Sequence, residues 1–505
     1  MKAKEAMIKQ PIETLNEVLS ILDEPLQPMD QPVTDMTLDS RRIVGGELFI
    51  AIPGLSSDGR DFIADACRRG ASAVLAEAAD DYPLPLSCMD APVISVKDLQ
   101  SQMGVLANRY YRQPSEAVKV LGVTATNGKT SCCWFISQMM EKLDTPCALM
   151  GTVGQGMPGH LSSSLNTTGD VLSTHRFIAG LVEQNVPALA MEVSSHGLDQ
   201  GRVEGVTFEV AVFTHISRDH LDYHGSLEAY SQAKAKLFSH CHYQHAVIGK
   251  DDAFSGLMLA ACPDPSKVIT WSLEDSSADV YASAIEVLPQ GLKACVHTPW
   301  GEGVLQTPLL GRFNLENLLA VIAALGVQGF DLPSILAQVP TLSTVPGRMQ
   351  RFGGGDQPLV LVDYAHTPDA IRSVLSALRE HGAARLGCIY GCGGDRDRGK
   401  RPLMTQAALE GADFAVLTSD NPRSEAPEAI IADALEGVDT KEQGRIRVEV
   451  DRGEAITSAI ASAQAGDILV VAGKGHEDYQ EIQGHRYHFD DSEQVEKALA
   501  HWRPL

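Results

Sequence analysis

The run Gly122-Val-Thr-Ala-Thr-Asn-Gly-Lys-Thr-Ser131 has the residue types of a phosphate loop. Its glycine lets backbone N–H groups close around phosphate oxygens at a helix N-terminus. Lys129 brings a mobile positive charge, and the hydroxyl of Thr130 or Ser131 offers a ligand to Mg²⁺. A strand-like run (Val118, Val120, Leu121, Val123) enters the segment and a helix-like run, Trp134 to Leu143, leaves it. That is the setting in which such a loop binds a nucleotide. The strict spacing places a glycine at Val123, and the nearest one upstream here is Gly122.

Further candidate groups follow apolar runs. Leu189-Ala-Met-Glu-Val-Ser-Ser195 carries Glu192 at its end. A lone carboxylate there is commonly solvated or caps a helix, but beside a phosphate loop it becomes a plausible Mg²⁺ ligand, because Mg²⁺ prefers oxygen donors. Val210 to Thr214 runs into Ser217-Arg-Asp-His-Leu-Asp-Tyr-His-Gly225, where Asp219, His220, Asp222 and His224 have the chemistry to ligate metal or orient phosphate. On the next helical segment, Leu227 to Phe238, the helical period puts Leu227, Tyr230, Leu237 and Phe238 on one stripe with Lys234 in its middle, and sends Lys236 the opposite way. Snorkelling is the default expectation for Lys234. The alternative is a desolvated amine of depressed pKa, able to add CO₂ and become a carboxylate-like carbamate.

Near the C-terminus, Gly391-Cys-Gly-Gly-Asp-Arg-Asp-Arg-Gly-Lys-Arg401, Thr418-Ser-Asp-Asn-Pro-Arg423 and Ala472-Gly-Lys-Gly-His-Glu-Asp-Tyr479 each follow an apolar strand. They read either as solvated glycine-rich turns or as a cradle for a small zwitterion, with arginine for carboxylate and Asp or Glu for ammonium.

These loops need a scaffold, and 505 residues exceed one ordinary core. Strand-like and helix-like segments alternate, so the expected class is α/β. Residues 1–115 form a small α/β domain with short strands at Gly46 to Ile52, Ala73 to Ala76 and Val93 to Val96. Residues 116–345 form a mostly parallel sheet with helices on both faces, including Val186 to Val193, Ala246 to Ile248 and Val268 to Trp271. Residues 346–505 form a third βα series on Leu359 to Val362, Leu386 to Tyr390, Phe414 to Leu417 and Ile468 to Val471. Ligands of open α/β sheets sit at the carboxyl ends of strands, where the loops above fall. Apolar content of 44% with 21% charged residues fits a globular chain, and no apolar run reaches membrane-spanning length. The N-terminus lacks the apolar core of a secretion signal, so a cytoplasmic location is expected. The ten cysteines show no paired C-x-x-C and read as free thiols of a reducing compartment. A net charge of −24 argues against nucleic acid or anionic membrane as partner.

Together with Asn166-Thr-Thr168, Gly311-Arg-Phe-Asn-Leu-Glu-Asn317, Pro346-Gly-Arg348 and Asp363-Tyr-Ala-His-Thr-Pro-Asp369, these motifs resemble, in order and spacing over nearly the whole chain, the Mur ligase family. The resemblance implies an ATP-dependent enzyme that extends the peptide stem of peptidoglycan precursors, with an N-terminal domain for the UDP-sugar, a central ATPase and a Rossmann-like C-terminal domain that brings the amino acid. It implies that ATP is bound by Ala125, Thr126, Asn127, Gly128, Lys129, Thr130 and Ser131 with Asn317 and Arg348, and that Mg²⁺ is held by Thr130 or Ser131, Glu192, His220 and a carbamylated Lys234. It assigns Leu38, Ser40, Asn166, Thr167, Thr168, Ser194, Gln200 and Arg202 to a UDP-muramoyl-dipeptide. Two departures from the family pattern stand out: Ala125 replaces a usual glycine, which implies a stiffer loop, and His215 replaces a common asparagine.

Asp420-Asn-Pro-Arg423 resembles the signature of members that add meso-diaminopimelate rather than lysine. By the same match Arg396, Asp420, Asn421, Pro422, Arg423, Gly473 and Glu477 contact that amino acid. The implied reaction phosphorylates the D-glutamyl γ-carboxylate of UDP-N-acetylmuramoyl-L-alanyl-D-glutamate and then forms the amide. A monomer working on small-molecule substrates is expected. The rival readings are a lysine-adding ligase, a folylpolyglutamate synthase, which shares the ATPase core, and a P-loop ATPase switch, kinase or nucleotide-binding module without ligase activity.

Overall fold

The apolar runs bounded by polar turns form parallel strands, and amphipathic segments between them form helices. The computed structural model describes residues 12–54, 57–80, 82–85, 87–164, 166–436, 438–439 and 441–504. The chain divides into two compact units, residues up to 129 with 144–269, and 130–143 with 270–505.

The first unit holds two sheets. The smaller orders Met36–Thr37, Leu48–Ala51, Ala73–Glu77 and Ala91–Val96 in parallel, with the short Ser87–Cys88 antiparallel at its edge. The larger places Lys119–Thr124 in the middle, between Ala188–Glu192 and Thr207–Phe213. His242–Gly249 and Cys147–Gly151 lie outside these, all parallel. Beyond Cys147–Gly151, Gly154–Met157 and His160–Ser162 add an antiparallel edge that the apolar pattern did not announce. The strand that carries the phosphate loop is therefore flanked by the two strands that carry Glu192 and the Ser217–Gly225 segment.

Gly122 lies inside its strand: a Cβ there would stand 2.5 Å from the Phe208 ring. It is a close-packing glycine and belongs to the sheet, not to the loop. The helix that follows starts at Lys129, not near Trp134, and runs Lys129–Lys142.

In the second unit, Val280–Leu288, Gly291–Thr298 and Gly301–Thr307 form an antiparallel ribbon, and the helix Arg312–Gly326 is buried along most of its length. The C-terminal sheet runs Gln350–Gly353, Leu359–Asp363, Ile468–Ala472, Leu386–Cys392, Phe414–Ser419, Ile446–Val448. All but the first strand are parallel. The chain steps outward from Leu386–Cys392 and returns to its other side as Ile468–Ala472. The loops after these two strands thus open from a topological switch point, the usual ligand crevice of such a sheet. Among the described residues no helix is long and apolar enough to cross a membrane.

Candidate active site

In the first unit the parallel register pairs Glu192 with Val123, which sets the carboxylate beside the entrance to the phosphate loop. Glu192 is 1% exposed. Its Oε1 accepts the Thr152 N–H at 2.8 Å and its Oε2 the Thr152 hydroxyl at 3.2 Å. A Cβ at Gly151 would fall 2.2 Å from Oε1, so glycine makes room for the carboxylate. Such a buried acid is neither solvated nor a helix cap.

The helix Leu227–Ser239 starts at Ser226, whose hydroxyl accepts the Ala229 N–H. Its inner face carries Tyr230, Leu237, Phe238 and, among them, Lys234 at 1% exposure. The snorkelling expectation fails: Lys234 Nζ donates inward to the Ala125 carbonyl at 2.7 Å and lies 4.6 Å from the Tyr230 ring centroid. Lys129 Nζ donates to the same carbonyl at 2.8 Å and to that of Thr126 at 2.9 Å. Burial pushes the Lys234 pKa well below the ordinary lysine range; the neighbouring Lys129 ammonium pushes the same way, against a smaller pull from Asp219. A carbonyl dipole shared by two amines offers weaker compensation than a carboxylate, so burial remains the dominant influence on Lys234. Lys236 points outward as expected and pairs Asp199 at 2.7 Å.

The loop is clamped to the next strand's exit. The Thr126 hydroxyl accepts the Ser217 N–H at 2.9 Å and meets the Tyr230 hydroxyl at 3.0 Å, and the Thr126 N–H donates to the His215 carbonyl. His215 itself pairs Asp252 at 3.1 Å. Ala125 keeps an ordinary negative φ, while Gly128 sits at φ +91°.

His220, half-exposed and left-handed at φ +52°, has its Nε2 3.4 Å from Asp219 and stands edge-on to His196 at 4.8 Å. His224 is turned to the Ser195 hydroxyl at 3.0 Å. The Asp222 side chain lies outside the described residues. Among those described, no three His, Cys, Asp or Glu side chains converge as a metal cluster. The donors are nevertheless hard oxygens plus one imidazole around a phosphate loop. They suit Mg²⁺, which takes few protein ligands and completes its shell with phosphate oxygens and water.

A cavity of about 1750 Å³ in the same unit is lined by Leu38, Ser40, Asn166, Gln200 and Arg202. Arg202 donates twice to Gln200 Oε1 and once, at 2.9 Å, to the Thr168 carbonyl. Gln200 donates to the Tyr223 hydroxyl at 3.1 Å, and Tyr223 to Asp199 at 2.9 Å. Thr168 and Ser194 are engaged inside the protein: the Thr168 hydroxyl donates to the Glu192 carbonyl at 2.9 Å and accepts the Ser194 N–H at 3.0 Å. The Thr167 hydroxyl meets that of Thr152, beside Glu192, at 3.1 Å. Sequence reasoning misses Thr152, Tyr223 and Asp199. Tyr223 lies inside the Ser217–Gly225 motif, whereas Asp199 and Thr152 carry no periodic or compositional signal.

In the second unit Thr130 and Ser131 occupy the partly exposed first turn of their helix, and Cys132 of that helix donates to Asn317 Oδ1 at 3.4 Å. The Arg348 guanidinium lies 4.7 Å from the Tyr364 ring centroid. Gly347, at φ +70°, has no room for a side chain: a Cβ would stand 2.1 Å from the His476 nitrogen. The three C-terminal loops converge. Arg423 Nη1 donates to the Gly394 carbonyl at 2.8 Å, and Asp395, next to Arg396, accepts from Ser424. Asn421 Nδ2 donates to Glu477 Oε2 at 2.7 Å, and a Cβ on Gly473 would meet Asp420 Oδ2 at 2.6 Å. Arg423 is itself left-handed, at φ +51°, and its N–H and carbonyl are tied to Glu481 and Gln483. A bulky residue in that conformation persists only when its surroundings impose it, and such strain gathers at ligand sites. Asn421 and Pro422 are buried beneath this arrangement, and Arg396 is exposed.

A buried acid and amine around a phosphate loop, with polar loops converging at the switch point of another sheet, fit the class of ATP-dependent ligases. The chain matches family models described as "Mur ligase family, catalytic domain" over residues 32–111, "Mur ligase middle domain" over 123–325 and "Mur ligase, glutamate ligase domain" over 347–475. It belongs to the Mur ligase family. It is 51% identical over 478 residues to the UDP-N-acetylmuramoyl-L-alanyl-D-glutamate--2,6-diaminopimelate ligase of Pseudomonas aeruginosa, covering 95% of this chain and 97% of that one. A solved structure of a ligase of the same name, 40% identical, aligns with a TM-score of 0.74 over 97% of this chain and 99% of its own. A Mycobacterium tuberculosis folylpolyglutamate synthase, solved with ADP and AMPPCP, shares the fold at 19% identity and a TM-score of 0.58 over 74% of this chain and 94% of its own.

Proposed function

We propose that this protein joins meso-2,6-diaminopimelate to the D-glutamyl γ-carboxylate of UDP-N-acetylmuramoyl-L-alanyl-D-glutamate, with ATP converted to ADP and phosphate, as a step of peptidoglycan precursor synthesis. The observation that carries this reading is the match, over 95% of the chain, to a ligase of that name. Residues 1–115 receive the UDP-precursor, 116–345 bind ATP and 346–505 bring the amino acid. The enzyme acts as a cytoplasmic monomer.

The first step brings a carboxylate to a triphosphate, so charge neutralisation matters more than a base. Lys129 and the loop N–H groups of Ala125 to Ser131 bind the phosphates, with Asn317 and Arg348 on the nucleotide. Thr130 or Ser131, Glu192, His220 and Lys234 would hold Mg²⁺, which would supply positive charge to the phosphate oxygens. Lys234 contributes after its neutral amine adds CO₂ to give a carbamate and a proton, and its depressed pKa supports that reaction. Leu38, Ser40, Asn166, Thr167, Thr168, Ser194, Gln200 and Arg202 place the UDP-precursor. The γ-phosphoryl group moves to the γ-carboxylate, the amine of diaminopimelate attacks the acyl phosphate, and phosphate leaves as the amide forms. Arg396, Asp420, Asn421, Pro422, Arg423, Gly473 and Glu477 hold the amino acid, Arg423 taking the far carboxylate that lysine lacks.

The test is phosphate release from ATP measured with each substrate omitted in turn. Release that requires both UDP-precursor and diaminopimelate, with lysine a poor replacement, is expected. Release with neither present would return the protein to the ATPase reading, and equal rates with lysine would remove the assigned specificity.

A further inference from the structure

A second lysine is fully buried, and no step above uses it. Lys474 has 0% of its surface exposed. Its Nζ donates to the Tyr479 carbonyl at 2.5 Å, to Asn421 Oδ1 at 3.2 Å and to Glu477 Oε2 at 3.4 Å. An ammonium has three hydrogens, and each meets an acceptor here. The backbone on both sides makes this reach. Gly473 at φ +120° and Gly475 at φ +53° bend the chain sharply, and a Cβ on Gly475 would stand 2.7 Å from the Tyr364 Cβ.

Lys474 also decides which way Asn421 faces. Asn421 Oδ1 accepts both Lys474 Nζ and the Glu481 N–H at 2.9 Å, which leaves its Nδ2 to donate to Glu477 Oε2 at 2.7 Å. Glu477 Oε2 therefore receives an ammonium and an amide. Burying a charge for packing alone is costly, since a methionine of similar size would fill the same space without desolvation. The cost is understandable where the charge sets a polar site.

We propose that Lys474 is a positioning residue for the amino-acid substrate. It locks the Asn421 amide and the Glu477 carboxylate into one arrangement and sets a lysine beside the Glu477 carboxylate. This rests on the reading that the cradle binds diaminopimelate. Buried beneath Asn421 and Glu477, Lys474 acts through them and not on the substrate.

The experiment is steady-state kinetics on Lys474→Met, Glu477→Gln and the double variant. Lys474→Met should raise KM for diaminopimelate about ten- to a hundredfold, the range for hydrogen bonds to charged groups. The KM values for ATP and the UDP-precursor should hold within about twofold. The double variant should lose less than the two single losses combined, as coupled residues require. If Glu477→Gln leaves KM for diaminopimelate unchanged, the reading of the cradle itself falls. If Glu477→Gln raises it and Lys474→Met does not, the cradle stands and the positioning role is overturned. Lys474→Arg, which keeps the charge, should recover part of the affinity. Failure of both Lys474 variants to fold counts against the proposal, because a purely structural lysine then accounts for the burial.

Discussion

Lys234 and Lys474 are both buried to within one per cent, yet their surroundings have opposite character. Lys474 meets a carboxylate, an amide oxygen and a carbonyl, one acceptor for each hydrogen. Lys234 meets the Ala125 carbonyl and an aromatic ring, with a second amine competing for the same oxygen. Burial alone does not make an amine reactive. The acceptors differ between the two sites, three for Lys474 and one shared carbonyl for Lys234.

The largest effect that tests this contrast is at Lys234. Lys234→Ala should abolish ligation at low bicarbonate, with partial recovery when a short carboxylic acid is added, and the wild-type protein should carry the added mass of one CO₂. Full activity in the unrescued variant would falsify the carbamate. Arg423→Lys comes next. A lysine keeps the charge but loses the bidentate fork, so kcat/KM for diaminopimelate should drop far more than for ATP, by about ten- to a hundredfold. Equal losses for both substrates would remove the specificity argument.

The smallest effect isolates what burial does without any acidic partner. His175 is fully buried with Nε2 2.9 Å from the Glu204 carbonyl, and burial lowers its pKa to about 4. The unfolded chain, with a histidine near the ordinary 6.5, takes up the proton first as pH falls. Stability from this group is thus intact above about pH 6.5 and declines toward pH 4, by up to about 3 kcal/mol. Chemical unfolding of wild type and His175→Gln at pH 7 and pH 5 measures it: the wild-type advantage should shrink on acidification. A constant or growing advantage sinks the assignment.

Much of this was legible in the sequence because parallel strands buried on both faces read as apolar runs, and each reactive loop follows one. The Gly154–Met157 edge lacks β-branched residues, and the Val280–Thr307 ribbon mixes polar and apolar positions, so neither stood out. Helical periodicity put Lys234 on the apolar stripe correctly. It did not separate a lysine that snorkels from one that is trapped, because that depends on the phosphate loop packed above it, more than a hundred positions earlier in the chain. Lys474 is invisible to periodicity, since a lysine between two glycines shows no face. Glu192 illustrates the reverse case: its strand-end position was readable, while the Gly151 space and the Thr152 donors that hold it were not.

The missing side chain at Gly347 has a mechanical consequence. With backbone pressed on backbone at His476, the turn that carries Arg348 and the turn that carries Lys474 and Glu477 are geared together, leaving neither free to slide past the other. A single methyl group at position 347 would push these two turns apart.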